Sequence, residues 1–265
     1  MLFRSASPSL YVHGDSVFHR LASRAKIALA AGAFAVALVF DHPAFVVVPF
    51  AASLALLVAL GGWSNVRRVR FIVVAIFVVG LVIWPLFTPA GGPVVLSTPV
   101  VELTEQEFLV ALGRSTRFAS FIVTGLLFVT VTSNEEIVSG MRSLGIPYAF
   151  CFAVGTALRL FPTLLGATGT VRQAQEARGH DLRSGSPLQR IRNYIPLLIP
   201  VFMTAIRNVQ TQAMALEARG FDTRRERTFY GRQTLGSADW LAVAIGAVML
   251  VGSVVLRFGF GLGMA

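Results

Sequence analysis

Long apolar runs separated by short polar clusters divide the chain. The first covers residues 27–40, extends back toward Leu21, and ends at Asp41-His42-Pro43. A second covers 44–60 and closes at Gly61-Gly62; a third, 71–87, follows Arg67-Arg68-Val69-Arg70. After a Pro/Gly-rich stretch at 88–103, a fourth run fills 108–131 and a last one 240–256. Runs of this length predict membrane-spanning helices.

Between 133 and 237 the pattern changes. More than half of the arginines lie here, with most of the turn signals. Ser133-Asn134-Glu135-Glu136 has the form of a capping box, opening a helix that should stop at Leu144-Gly145-Ile146-Pro147. A second helix is expected from Pro147 to Arg178-Gly179, bent or broken at Pro162. A third starts at Ser186-Pro187, with proline in the first helical position, is interrupted at Pro196 and Pro200, and ends at Arg219-Gly220. These helices are apolar in their first halves and polar at their ends, as expected for helices that leave the membrane or lie along its inner face. The reading is an all-α integral membrane protein of about five transmembrane helices. Residues 1–132 hold about four spans, 133–237 form a cytoplasmic or interfacial helical region inserted before the last span, and 238–265 form a C-terminal transmembrane helix.

Composition agrees. Hydrophobic residues make up 55% of the 265 and charged residues only 14%, where soluble domains carry about a quarter. Mean hydropathy is +0.70. The net charge of +10 comes from arginines and a single lysine, Lys26. A pI near 11.2 also suits a nucleic-acid binder, but basic cytoplasmic loops explain it more simply. Arg4, Arg20, Arg24 and Lys26 then place the N-terminus in the cytoplasm of a plasma (inner) membrane protein, and the Arg67–Arg70 cluster on the same side. The 88–103 loop, which has no Lys or Arg, falls outside. Cys151 is the sole cysteine, so no intrachain disulfide is possible. The basic first 26 residues do not read as a cleavable signal peptide.

Several chemistries are absent from the pattern. A P-loop needs a lysine after its glycine run, and Lys26 follows an alanine. His13, His19, His42 and His180 lie in separate segments without metal-ligand spacing. Glu135 and Glu136 sit where a capping role suffices. Acidic residues are scarce in the spans, which argues against a self-contained ion-coupled carrier. A membrane-embedded enzyme would have to be built around Arg114, Arg117 and Arg159, for which the sequence suggests no charged partners. The chain is therefore expected to be a non-enzyme that binds no cofactor of its own. An autonomous membrane carrier or a membrane-embedded enzyme remains the alternative.

One motif occurs twice. Residues 176–183 read EARGHDLR and residues 217–224 read EARGFDTR, matching at six positions. A glycine just past a helix end takes the left-handed conformation that terminates helices, and the arginine before it complements the helix dipole. Behind each tip runs an apolar seam: Leu164, Ala167, Val171 and Ala174 in one copy, Ile206, Val209, Ala213 and Leu216 in the other. Glu176 and Glu217 stand two residues before the arginines and point to another face, leaving each guanidinium available to a partner. Aromatic interleaving is missing and acids flank the motif, so nucleic-acid binding is not expected.

These residues resemble the transmembrane T component of energy-coupling factor importers, a family that includes the cobalt-permease CbiQ proteins. Ala177-Arg178-Gly179 and Ala218-Arg219-Gly220 look like its paired coupling motifs. Leu144-Gly145-Ile146-Pro147, followed by Arg159 and Pro162, is similar to its approach to the first motif. Phe18-His19-Arg20-Leu21, with Arg24 and Lys26, looks like its opening segment. The resemblance implies a scaffold that transmits the ATP-driven motion of two cytoplasmic ABC-type ATPases, a homo- or heterodimer, to a small membrane S component that carries a vitamin or transition metal. Arg178 and Arg219 would each enter a groove of one ATPase. Glu176, Asp181, Arg183, Glu217, Asp222 and Arg224 would be secondary contacts, and ATP would be bound by the partners.

Overall fold

The structure is a computed structural model that describes residues 11–12, 14, 16–87, 94–97, 102–179, 186–222 and 235–261. Nine helices and one short hairpin are present among them: α1 (Val17–Arg20), α2 (Ser23–Val39), α3 (Pro43–Ala59), α4 (Trp63–Phe87), β1 (Val94–Ser97), β2 (Glu102–Thr104), α5 (Glu105–Val131), α6 (Asn134–Ser143), α7 (Tyr148–Ala177), α8 (Pro187–Ala218) and α9 (Ser237–Phe260). The hairpin pairs β1 and β2 antiparallel in the loop for which the sequence offered no motif. Apart from it the described fold is all α-helical.

Each of the five predicted spans lies within a helix. Among the described residues four helices are long and apolar enough to cross a membrane: α4, α5, α7 and α9, with α3 a shorter apolar helix. α2 has only 17 residues and begins with Ser23-Arg24-Ala25-Lys26. Its apolar portion, from Ile27 onward, covers only about 20 Å at 1.5 Å per residue. α7 belongs to the region read as interfacial, yet its hydropathy of 1.5 over a membrane-length window qualifies it by length and composition as a span.

The helices form two compact units, one of α1–α6 with α9 and the hairpin, the other of α7 and α8. In the first, α5 is the central element and packs on α2, α3 and α4. Half of its membrane-length window is buried, against 6% for α4. Many of its buried positions are small or hydroxylated, among them Ala111, Ser115, Ala119, Ser120 and Thr124. Such residues let helices approach closely where no hydrophobic drive separates helix from lipid. Ser53 on α3 and Thr124 exchange a hydrogen bond at 3.0 Å. Next to this contact Leu57, Val123 and Leu126 form an apolar cluster with Val66, Val69 and Val73 of α4.

α9 packs along α2. Asp239 at its start accepts the Ala22 amide at 2.6 Å, and Arg257 near its end meets Asp41, so the two helices run parallel. They touch at glycines: a Cβ added at Gly32 would stand 2.6 Å from the Gly246 carbonyl oxygen. No other residue type allows backbones this near.

The capping box at Ser133 is formed, with Ser133 Oγ accepting the Glu136 amide and Glu136 accepting the Ser133 amide. Gly145 ends this segment at φ +87°. Two expectations need correction: α7 is unbroken through Pro162, and α8 through Pro196 and Pro200. Proline removes one amide and pushes on the carbonyl four residues back, but a long helix survives this where neighbouring groups satisfy what is freed. The carbonyl that Pro200 leaves without its helical amide is that of Pro196, and it accepts Gln175 Nε2 at 3.2 Å.

Candidate coupling site on the helix pair

The second unit consists of two antiparallel helices. Phe221, just past α8, stacks on Phe152 in the second turn of α7 with ring centroids 4.6 Å apart, and Tyr148 lies beside it. At the other end Gln175, near the end of α7, donates to Pro196 on α8. Arg178 follows α7 and Arg219 follows α8, so the two repeated tips are at opposite ends of the pair. Pro196 and Arg219 are 23 residues apart, about 35 Å of helical rise.

Both tips are built alike. Arg178 and Arg219 are the capping residues of their helices. Gly179 follows at φ +82° and Gly220 at φ +65°, a conformation that carries a steric penalty for residues with a Cβ. The Gly220 amide donates to Glu217 O at 2.9 Å and the Phe221 amide to Leu216 O at 2.9 Å, the two bonds of a Schellman cap. At the first tip the Gly179 amide donates to Glu176 O at 3.0 Å. The repeat thus encodes a helix stop that leaves an arginine at the rim. Ala177, Arg178 and Gly179 are exposed, as are Ala218, Arg219 and Gly220. Among the described residues, neither guanidinium has a hydrogen-bond or ion-pair partner.

The flanking acids differ between the copies. Glu176 is held by Arg172, four residues before it, at 2.8 Å. Among the described residues this bond engages the acid nearest Arg178 in sequence. Glu217 is exposed and Asp222 half-buried. Asp181, Arg183 and Arg224 lie outside the described residues, as does His180.

The predicted seams are partly displaced. On α7 Leu164, Ala167 and Val171 are half-buried as expected, while Ala174 is exposed. On α8 Ile206 and Leu216 of the expected seam are half-buried, as are Val201, Thr204, Ala205, Asn208 and Gln212, whereas Val209 and Ala213 face out. The α8 inner face is more polar than an apolar seam would be, and it leaves apolar residues on the outside: Phe202, Met203, Val209 and Met214 are all 46–64% exposed.

In the first unit the buried charges are paired, which the sequence reading missed. Lys26 is 5% exposed. Its ammonium donates to the His19 carbonyl at 3.0 Å, the Val131 carbonyl at 2.9 Å and Glu136 Oε2 at 2.8 Å. Three donors meet three acceptors, tying α1, α2, α5 and α6 together. A lone lysine in an otherwise arginine-only chain was the available signal. At the opposite end of α2, Asp41 bridges Arg117 of α5 at 2.6 Å and Arg257 of α9 at 2.9 Å. Burial by itself raises the Asp41 pKa, but hydrogen bonds and charge from the two guanidiniums prevail and hold the carboxyl below its ordinary value. Arg117 therefore has the counterion that the sequence did not suggest, supplied from 76 residues away. Arg114 lies over the Trp84 ring at 4.5 Å from its centroid. Among the described residues no group of three or more His, Cys, Asp or Glu side chains could hold a metal ion.

Membrane-length apolar helices, a buried polar staple and two exposed cationic helix ends define a multi-pass helical membrane protein. Comparison with known proteins specifies the class. The cobalt transport protein family CbiQ matches residues 14–230. The energy-coupling factor transporter transmembrane protein EcfT of Thermosediminibacter oceani is 30% identical over 94% of this chain and 96% of its own length. The protein of the same name from Clostridium kluyveri is 27% identical over 95% and 96%. A putative ABC transporter ATP-binding protein of Bifidobacterium longum is 27% identical over 86% of this chain, a match that occupies 30% of that protein. The chain belongs to the CbiQ/EcfT family, the transmembrane components of energy-coupling factor transporters.

Proposed function

We propose that the chain is the non-catalytic coupling subunit of an energy-coupling factor importer. It holds two cytoplasmic ABC-type ATPases through Arg178 and Arg219, one at each tip, and passes their ATP-driven movement to a small substrate-binding membrane protein that carries a vitamin or a transition metal. ATP is bound by the partners. The chain sits in the inner membrane with its N-terminus in the cytoplasm, the side on which Arg20, Arg24 and the Arg67–Arg70 cluster are retained.

The observation that carries this reading is the placement of Arg178 and Arg219 at opposite ends of an antiparallel helix pair, each followed by a glycine at positive φ and neither with a partner among the described residues. Two sites so far apart suit two partner subunits rather than one. The relationship to an ATP-binding protein supports an ATPase as that partner. A guanidinium entering a partner's groove finds carbonyls and carboxylates that fit its planar donors.

The test is co-purification of the ATPases encoded with this chain. Arg178→Ala and Arg219→Ala each weaken capture, and the double variant abolishes it while remaining folded in the membrane. Recovery of both ATPases with the double variant at the wild-type yield overturns the reading.

A further inference from the structure

The start of α4 carries a cationic face that the coupling site does not use. Trp63, Arg67 and Arg70 are spaced by four and three residues and therefore share one side of the helix. Phe71, 80% exposed, and Val74, 58% exposed, continue that side along the apolar span. The rotation of the helix is fixed from another face. Val66, Val69 and Val73 pack into the apolar cluster around Leu57 and Leu126, and Asn65, 2% exposed, donates to Thr130 Oγ1 at 3.1 Å. Arg67 and Arg70 are thus held outward, with Arg68 at their flank. All three are exposed, and none has a hydrogen-bond or ion-pair partner among the described residues. The sequence supplies no acid between Asp41 and Glu102.

Helical side chains lean toward the N-terminus. The Arg67 guanidinium therefore reaches back by about one turn, ~5 Å, toward the level of Trp63, which is itself 54% exposed, and that of Arg70 reaches back to the level of Arg67. From the helix start inward the stripe reads indole and guanidinium, then aromatic, then aliphatic. That is the order of a phospholipid from headgroup through interface to acyl chain. α4 is 6% buried over its membrane-length window, so lipid reaches it along its length. We propose that this face is a binding site for the headgroup of an anionic phospholipid, with Arg67 and Arg70 clasping the phosphate and Arg68 adding long-range attraction. Guanidinium binds phosphate oxygens in a bidentate fork that ammonium cannot reproduce, and the three cations here are all arginine.

The experiment uses the purified full chain in detergent with added phosphatidylglycerol or phosphatidylcholine, read by native mass spectrometry. Wild type retains phosphatidylglycerol over phosphatidylcholine, and added salt weakens the retention. Arg67→Gln/Arg70→Gln lowers phosphatidylglycerol affinity by roughly thirtyfold, taking about fivefold per arginine. Arg67→Lys/Arg70→Lys keeps the charge and loses part of the affinity, and Arg178→Ala has no effect on it. Inorganic phosphate at millimolar concentration leaves lipid retention unchanged; displacement would assign the site to free phosphate and overturn the proposal. Equal retention of the two lipids by wild type, or equal phosphatidylglycerol affinity in wild type and the glutamine pair, would overturn it as well. Should the pair not purify, Arg67→Gln alone, with about a fivefold loss expected, decides between the same outcomes.

Discussion

The two units treat charge in opposite ways. In the first, the buried ionisable groups are partnered: Lys26 by Glu136 and two carbonyls, Asp41 by Arg117 and Arg257, Asp239 by the amides of Ala22 and Gly236. In the second, the one described ion pair is Arg172–Glu176, on the exposed helix surface, and the two arginines at the tips are left open. A buried charge without partners is too costly to keep, so the first unit pairs its buried charges internally and is held together by them. An exposed arginine costs little, and its donors remain usable by another protein. The contrast separates residues that build the scaffold from residues that act outside it.

The comparison is broken most severely at Lys26. Lys26→Met strands Glu136 and two carbonyls and should destabilise the first unit by about 3–5 kcal/mol, read as a lowered unfolding midpoint in detergent. An unchanged midpoint would mean that the staple is not structural. Next come the tips taken singly. Arg178→Ala and Arg219→Ala should each cost about 2–5 kcal/mol in ATPase association while leaving the unfolding midpoint where it was, the reverse of Lys26→Met. A fall in stability without a loss of ATPase would invert the assignment of roles.

Asp41→Asn ranks third, at about 1–2 kcal/mol, because it weakens the hydrogen bonds of two partly buried guanidiniums. Its pH dependence is specific. The folded-state pKa of Asp41 is depressed, so the contribution is fully present above the ordinary carboxylate pKa of about 4 and disappears as pH falls through the lower folded-state value. Wild type and Asp41→Asn should differ by a constant amount between about pH 5 and 7 and converge below about pH 4. Convergence near neutrality would show that the carboxyl is not held down by its arginines. The smallest effect belongs to Arg172→Ala, which removes an exposed i,i+4 pair that solvent screens. It should hardly change stability, and it sharpens the comparison by returning Glu176 to the neighbourhood of Arg178, where a modest loss of ATPase affinity would follow.

Much of this was legible in the chain alone. Apolar runs gave the spans because lipid forces every backbone group in them to be satisfied within a helix. Ser133 with Glu136, Gly145, Ser186-Pro187, Gly179 and Gly220 gave the helix ends because capping is a contest among residues a few positions apart. The repeat at Arg178 and Arg219 was visible for the same reason: its geometry is complete within five residues.

What the sequence could not decide was anything that depends on distant partners. Prolines 162, 196 and 200 read locally as bends or breaks, yet their helices continue, and at Pro200 the freed Pro196 carbonyl is taken up by Gln175 of the other helix. Arg117 read as an orphan until folding brought it Asp41, and Lys26 read as a rim charge until α5 and α6 closed over it. The antiparallel arrangement that sets the two arginine tips apart rests on contacts such as Phe152 with Phe221. Local composition fixes where helices begin, end and meet lipid, since those energies are settled within a turn or two. Which charges are neutralised and which remain free is settled only when segments remote in sequence pack together.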